Sequence, residues 1–119
     1  MSYSKLRRNT SQRKALLRNL VSNVIKYERI FTTESKAKET SKILDKLITL
    51  SKKNTLDARR RALLWIYDKK IDNNKTVLQK LFTDISLKYK NRTSGYTRVL
   101  KSSDFRRGDS SHMAWLFLV

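Results

Sequence analysis

Cysteine and proline are absent from this 119-residue chain, glycine occurs twice and histidine once. Without cysteine there is no disulfide and no thiolate zinc site, a composition that fits an intracellular protein. Around the single histidine, His112, the sequence assembles no Ser/His/Asp set, paired carboxylates or glycine-rich phosphate loop. His112 therefore reads as a strand-edge residue or a phosphate contact, and the chain as a non-enzyme without cofactor, metal or small-molecule substrate. Long apolar runs are missing too: the longest, Met113 to Val119, has seven residues, against the ~20 that a membrane helix needs. Near the start, Lys5, Arg7 and Arg8 lead into no apolar core of the signal-peptide kind.

Acidic residues are scarce as well, 10 against 28 Lys and Arg, which leaves a net charge of +18. Such a charge opposes compaction and favours a polyphosphate partner. Its distribution is uneven: residues 1–33 hold eight Lys/Arg against Glu28 alone, residues 34–85 thirteen against seven acids, and residues 86–119 seven against two. The ends are nearly pure cation, while the middle has the mixed signs of a solvated helical surface. Hydrophobic residues make up only 39% of the chain, yet they recur periodically, so the composition supports one domain with one modest core.

What is present falls into a basic arm, residues 1–8, and a single domain, residues 9–119. The arm carries Lys5, Arg7 and Arg8, no acid and little apolar surface, so it is expected to order only against a polyanion. Asn9 and Gln12 have the spacing of a capping box, and Arg13 to Tyr27 repeats with helical period. Leu16, Leu17, Leu20, Val21 and Val24 share one face of this helix. Lys14, Arg18, Ser22 and Lys26 descend the other in four-residue steps, as a row tracking phosphates would. Arg29 to Thr33 is short, β-branched and aromatic, which predicts a strand. Thr33 caps a second helix, Glu34 to about Lys53, with Ala37, Leu44, Leu47, Ile48 and Ser51 inward. Asn54 and Thr55 break it. A third helix from Leu56 to about Asp68 offers Leu63, Trp65 and Ile66 to the core, and its consecutive Arg59, Arg60 and Arg61 fan over the surface. After the polar connection Lys69 to Asn74, Asn74 caps a fourth helix carrying Val77, Leu78, Leu81, Phe82 and Ile85. No proline or glycine punctuates Ser86 to Lys90, so this helix stops near Ile85 or continues to Tyr89.

The stretch from Arg92 to Val119 reads as a β-hairpin around which the rest is organised. A polar turn ending in Gly95 precedes a strand, Tyr96 to Lys101. Ser102 to Ser111, with Gly108, breaks it, and the apolar run follows. Unbroken apolarity suits a central strand covered on both faces or paired on both edges. Arg92, Arg98, Lys101, Arg106 and Arg107 surround the turns, and the forks of Arg98, Arg106 and Arg107 suit bidentate phosphate contacts. Trp115 and Phe117 read as core; Tyr96 reads either as core or as a ring stacking on an unpaired base. Arg107-Gly108-Asp109 spells a cell-adhesion tripeptide, but its place suits a hairpin turn. The order α-β-α-α-α-β-β leads to a parallel or mixed sheet of three strands with helices packed on it.

Two blocks of this chain resemble the L-seventeen family of bacterial large-subunit ribosomal proteins. One is Gly95-Tyr96-Thr97-Arg98-Val99-Leu100-Lys101 with Phe105-Arg106-Arg107-Gly108-Asp109 and Met113-Ala114. The other is Arg13-Lys14-Ala15, Leu17-Arg18-Asn19, Glu28-Arg29-Ile30, Thr32-Thr33, Lys36-Ala37-Lys38-Glu39 and Leu47-Ile48-Thr49-Leu50, in the same order and spacing. Five positions depart from the pattern: Gln12 replaces a histidine, Ser35 a proline, Ser94 the first of two glycines, and Ser86-Leu87 a Gly-Pro break. None removes a cation. The resemblance implies an α+β fold of about four helices on a three-stranded mixed sheet with the C-terminal strand central. It also implies a cytoplasmic, ribosomal constituent that binds and stabilises 23S rRNA near the polypeptide exit side, beside neighbouring large-subunit proteins. A nucleoid-type DNA-binding protein is the alternative that the charge alone would support, but no helix-turn-helix stands out.

Overall fold

The computed structural model describes residues 10–71, 75–105, 108 and 112–119. Along the chain run α1 (Thr10–Tyr27), β1 (Arg29–Thr33), α2 (Glu34–Ser51), α3 (Leu56–Ala62), α4 (residues 77–88), β2 (Thr97–Phe105) and β3 (His112–Leu118). This is the expected α+β order, and β1 has the bounds expected of it. Asn9 and Asn74, expected as helix caps, lie outside the described residues. The fourth helix is capped instead by Thr76 in a reciprocal box with Gln79, and the Asp68 carboxylate accepts from the Leu78 N–H at 3.0 Å. With Ser86-Leu87 in place of a helix break, α4 runs on past Ile85. A π-helical turn, Leu81–Ile85, buries Leu81, Phe82 and Ile85 between two α-helical turns.

The sheet has the order β1-β3-β2, so the C-terminal strand is central, as expected. Both pairings are antiparallel, which corrects the expectation of a mixed sheet. The reason is the length of the connections. Residues 106–111 are too few for the crossover that a parallel neighbour needs, so β3 must return antiparallel to β2. The long crossover from β1 through α2, α3 and α4 leaves β1 and β2 parallel but one strand apart, and β3 fills the gap. Leu116 thus stands opposite both Ile30 and Val99, and Trp115 opposite both Phe31 and Leu100.

Helices cover one face of this sheet: α2 lies across β2 and β3, and α1 packs on β1 and α2. Ala114, Leu116 and Leu118 turn toward them, with Leu17, Val21, Val24, Ile25, Ala37, Leu44, Leu47 and Ile48 of the two helices buried opposite. Each of the Val, Leu and Ile side chains contributes roughly 1.5–3 kcal/mol of burial. Every residue expected on the inner face of α2 is buried.

The third helix ends six residues earlier than its expected limit at Asp68, and a tertiary contact explains why. Continuing the helix would join the Tyr67 N–H to the Leu63 carbonyl. Instead the Ser22 hydroxyl accepts from the Tyr67 N–H at 2.7 Å, and the Arg18 guanidinium donates to the Leu63 and Ile66 carbonyls at 3.1 and 2.9 Å. Two α1 side chains replace both halves of the missing helical bond. Ala58, Ala62 and Ile66 fill the core here, Trp65 is half-buried, and Leu63 remains exposed.

Candidate nucleic-acid interface

The cations singled out in the sequence divide by what their heads already touch. Lys5, Arg7, Arg8, Arg106 and Arg107 lie outside the described residues. Arg60, Arg92 and Arg98 are exposed, and their guanidinium groups meet no carboxylate among the described residues. Arg61 pairs with Asp57 at 3.2 Å one helical turn away, Lys101 reaches Glu34 at 3.3 Å, and Arg13 lies 3.7 Å from Glu39. The surface Arg61–Asp57 and Lys101–Glu34 pairs are worth little and yield readily to a phosphate, whereas Arg13 meets a buried carboxylate. Arg59 donates to the Asn54 side-chain carbonyl and lies over Phe82, while Lys14 lies over Trp65 and Lys26 over Tyr27.

The four-residue row on α1 is not an open cationic face. Ser22 is buried, and the Arg18 head is committed to two carbonyls and to the Tyr67 ring, 4.3 Å away. Both patterns, a phosphate-facing row and a seam against a neighbouring segment, have the same four-residue step. Helix α2 carries a comparable row: Lys38, Lys42 and Lys46 are all exposed at that spacing, with Lys38 paired to Glu34 and Lys42 to Glu39. Hydrogen bonding from Lys38, followed by Lys101, holds the Glu34 carboxyl below its ordinary value, so this acid stays ionised among the lysines.

Of the two readings open to Tyr96 the structure takes the core one, while Trp115 leaves the core place expected of it. Tyr96 is buried, with its ring edge-on to Tyr89 at 5.3 Å. Its hydroxyl accepts from Lys52 at 2.7 Å and from Thr49 at 3.3 Å and donates to the Arg92 carbonyl at 3.0 Å, which ties the turn before β2 to the end of α2. The Lys52 bond, assisted by Thr49, lowers the phenol's pKa. Its ring is therefore packed in the core, not offered for stacking. Trp115, expected in the core, is 38% exposed, and Phe117 is half-buried. Side chains alternate along β3, and with the described helices packed on one face, Trp115 and Phe117 turn to the other.

That second face brings together residues the sequence left scattered. Phe31 packs on Trp115 with ring centres 4.9 Å apart, Arg29 lies 5.5 Å from the Trp115 ring, and exposed Leu100 flanks them from β2. A shallow groove runs here, lined by Tyr27, Glu28, Arg29, Leu100, Trp115, Phe117 and Leu118. Arg29 and Phe31 were missed as surface groups. Strand periodicity with the register of a central β3 would have found them.

Among the described residues no three His, Asp or Glu side chains gather as a metal site, and no helix is long and apolar enough to cross a membrane. A small α+β fold studded with exposed, weakly paired cations defines a basic protein of the polyanion-binding class. The family described as Ribosomal protein L17 matches residues 16–119. Over the full length of both chains the sequence is 57% identical to large ribosomal subunit protein bL17 of Aster yellows witches'-broom phytoplasma (strain AYWB) and 56% identical to that of Onion yellows phytoplasma (strain OY-M). Against bL17 of Caldanaerobacter subterraneus subsp. tengcongensis the identity is 50%, over 100% of each chain. This chain belongs to the ribosomal protein L17 family.

Proposed function

We propose that the chain is a structural constituent of the large ribosomal subunit in the cytoplasm, where it binds and stabilises 23S rRNA near the polypeptide exit side beside neighbouring large-subunit proteins. Family membership over residues 16–119 carries the reading and favours RNA over the nucleoid-type alternative. The role is structural, not enzymatic. A net charge of +18 supplies the electrostatic term, and exposed Lys14, Arg60, Arg92 and Arg98 are the described cations best placed for phosphates. Arg61 and Lys101 exchange a surface acid for a phosphate on binding, whereas one terminal nitrogen of Arg18 is held by two backbone carbonyls inside the fold. Residues 9–119 act as one binding domain, to which residues 1–8 add Lys5, Arg7 and Arg8, and Arg106 and Arg107 complete the hairpin's contribution. Titrating the affinity for isolated 23S rRNA against salt tests the reading: each phosphate neutralised contributes about −0.7 to −0.9 to the log-log slope. A flat response, or failure to sediment with large subunits, refutes it.

A further inference from the structure

The face of the sheet turned away from α1 and α2 has an ordered arrangement of charge and aromatic surface among the described residues. Across the three strands, Arg29, Phe117 and Arg98 stand in one row and Phe31, Trp115 and Leu100 in the next. Neighbouring strands lie about 4.8 Å apart and the two rows about 6.7 Å apart along the strands. One row thus has a guanidinium on each edge strand with an aromatic between, and the other is apolar throughout. Phe31 is 45% and Leu100 57% exposed, so the second row is open to solvent.

We propose that this face is a stacking platform for unpaired nucleotides of the rRNA, with a base on the Phe31–Trp115–Leu100 row and its phosphate on Arg29 and Arg98. The inference rests on the rRNA-binding function proposed above and names the part of the RNA that this face takes. A nucleotide is flat and apolar at the base and anionic at the phosphate, which matches the two rows in order. The arginines decide against an apolar protein segment. Covering the face with such a segment would desolvate Arg29 and Arg98, and no carboxylate among the described residues meets either head. A nucleotide brings its own counter-charge. Glu28, the acid among the described residues that line the groove, already has Lys80 at 3.8 Å.

The test separates stacking from charge. Trp115→Leu and Phe31→Leu keep an apolar side chain and remove the π face, while Arg98→Gln removes a cation. Binding of the full chain to isolated 23S rRNA is measured for each across a salt series, with thermal melts to confirm folding. Phe31, on an edge strand, stands in if the Trp115 variant does not fold. The leucine variants are expected to bind about 5- to 150-fold more weakly, the loss of one stacked base, with the salt slope unchanged. Arg98→Gln should make the slope shallower by about 0.7–0.9. Folded leucine variants with parental affinity overturn the proposal, and if they also fail to enter large subunits, the face docks a neighbouring protein instead. Parental binding that is insensitive to salt would remove the rRNA reading itself, and the platform with it.

Discussion

Replacing Arg18 with methionine should unfasten α1 from the segment that ends α3 while leaving RNA binding intact. Methionine keeps an apolar stem but loses both bonds, at 3.1 Å to the Leu63 carbonyl and 2.9 Å to the Ile66 carbonyl, and the contact with the Tyr67 ring. A hydrogen bond from a charged donor is worth about 1.5–3 kcal/mol net, and the bond to exposed Leu63 falls at or below the low end because water replaces it. The stacked guanidinium adds about 0.5–2 kcal/mol. Together these amount to roughly 2–6 kcal/mol. A domain of this size loses about 3–5 °C of Tm per kcal/mol, so the melt should move down by about 6–30 °C. Circular dichroism melts read the stability, and salt-dependent 23S rRNA binding reads the charge. Arg98→Gln, on the sheet edge, should show the converse: a melt close to the parent and a shallower salt slope. An Arg18→Met protein that melts with the parent yet loses about 0.7–0.9 of slope would refute the reasoning and make Arg18 a phosphate ligand.

Leu116→Ala, at a fully buried position of β3, should cost about 2–5 kcal/mol, and Trp115→Ala, one residue away on the open face, clearly less; chemical denaturation of the pair would expose an error in the assignment of faces by reversing that order. Thr76→Ala removes the capping box of α4 and should cost about 0.5–2 kcal/mol, with Thr76→Ser retaining most of it in the same measurement. Lys75 hydrogen bonding, ahead of its charge and a bond from Thr83, holds the Asp84 carboxyl below its usual value of 3.8. A lowered carboxylate pKa stabilises the fold fully above the unfolded value and is lost as pH falls through the folded one. Melts of the parent and Asp84→Asn should therefore differ most at neutral pH and converge as pH falls through the lowered carboxylate pKa; a gap that widens in acid would contradict the sign.

Much of this protein was settled by local chemistry. Arg29 to Thr33 is β-branched and aromatic and forms β1 as read; the spacing of Ala37, Leu44, Leu47, Ile48 and Ser51 defines the buried face of α2; and the apolar run into Val119 is paired on both edges at the centre of the sheet. Periodicity, turn residues and two blocks of family pattern are properties of neighbouring residues and survive without knowledge of the rest. Assignment to a side was a tertiary decision. Trp115 and Leu116 are equally apolar, and only the placing of both helices on one face buries the one and exposes the other. The four-residue row on α1 reads from sequence as a solvated basic face or a phosphate track, and it is the segment at residues 63–67 that takes Arg18 and Ser22 into a packing seam. The antiparallel sheet likewise follows from how few residues join β2 to β3, since a parallel neighbour needs a crossover of a dozen or more. A residue's neighbours along the chain set its local conformation; whether its side chain meets protein or solvent depends on which elements pack there, and those come from far along the sequence.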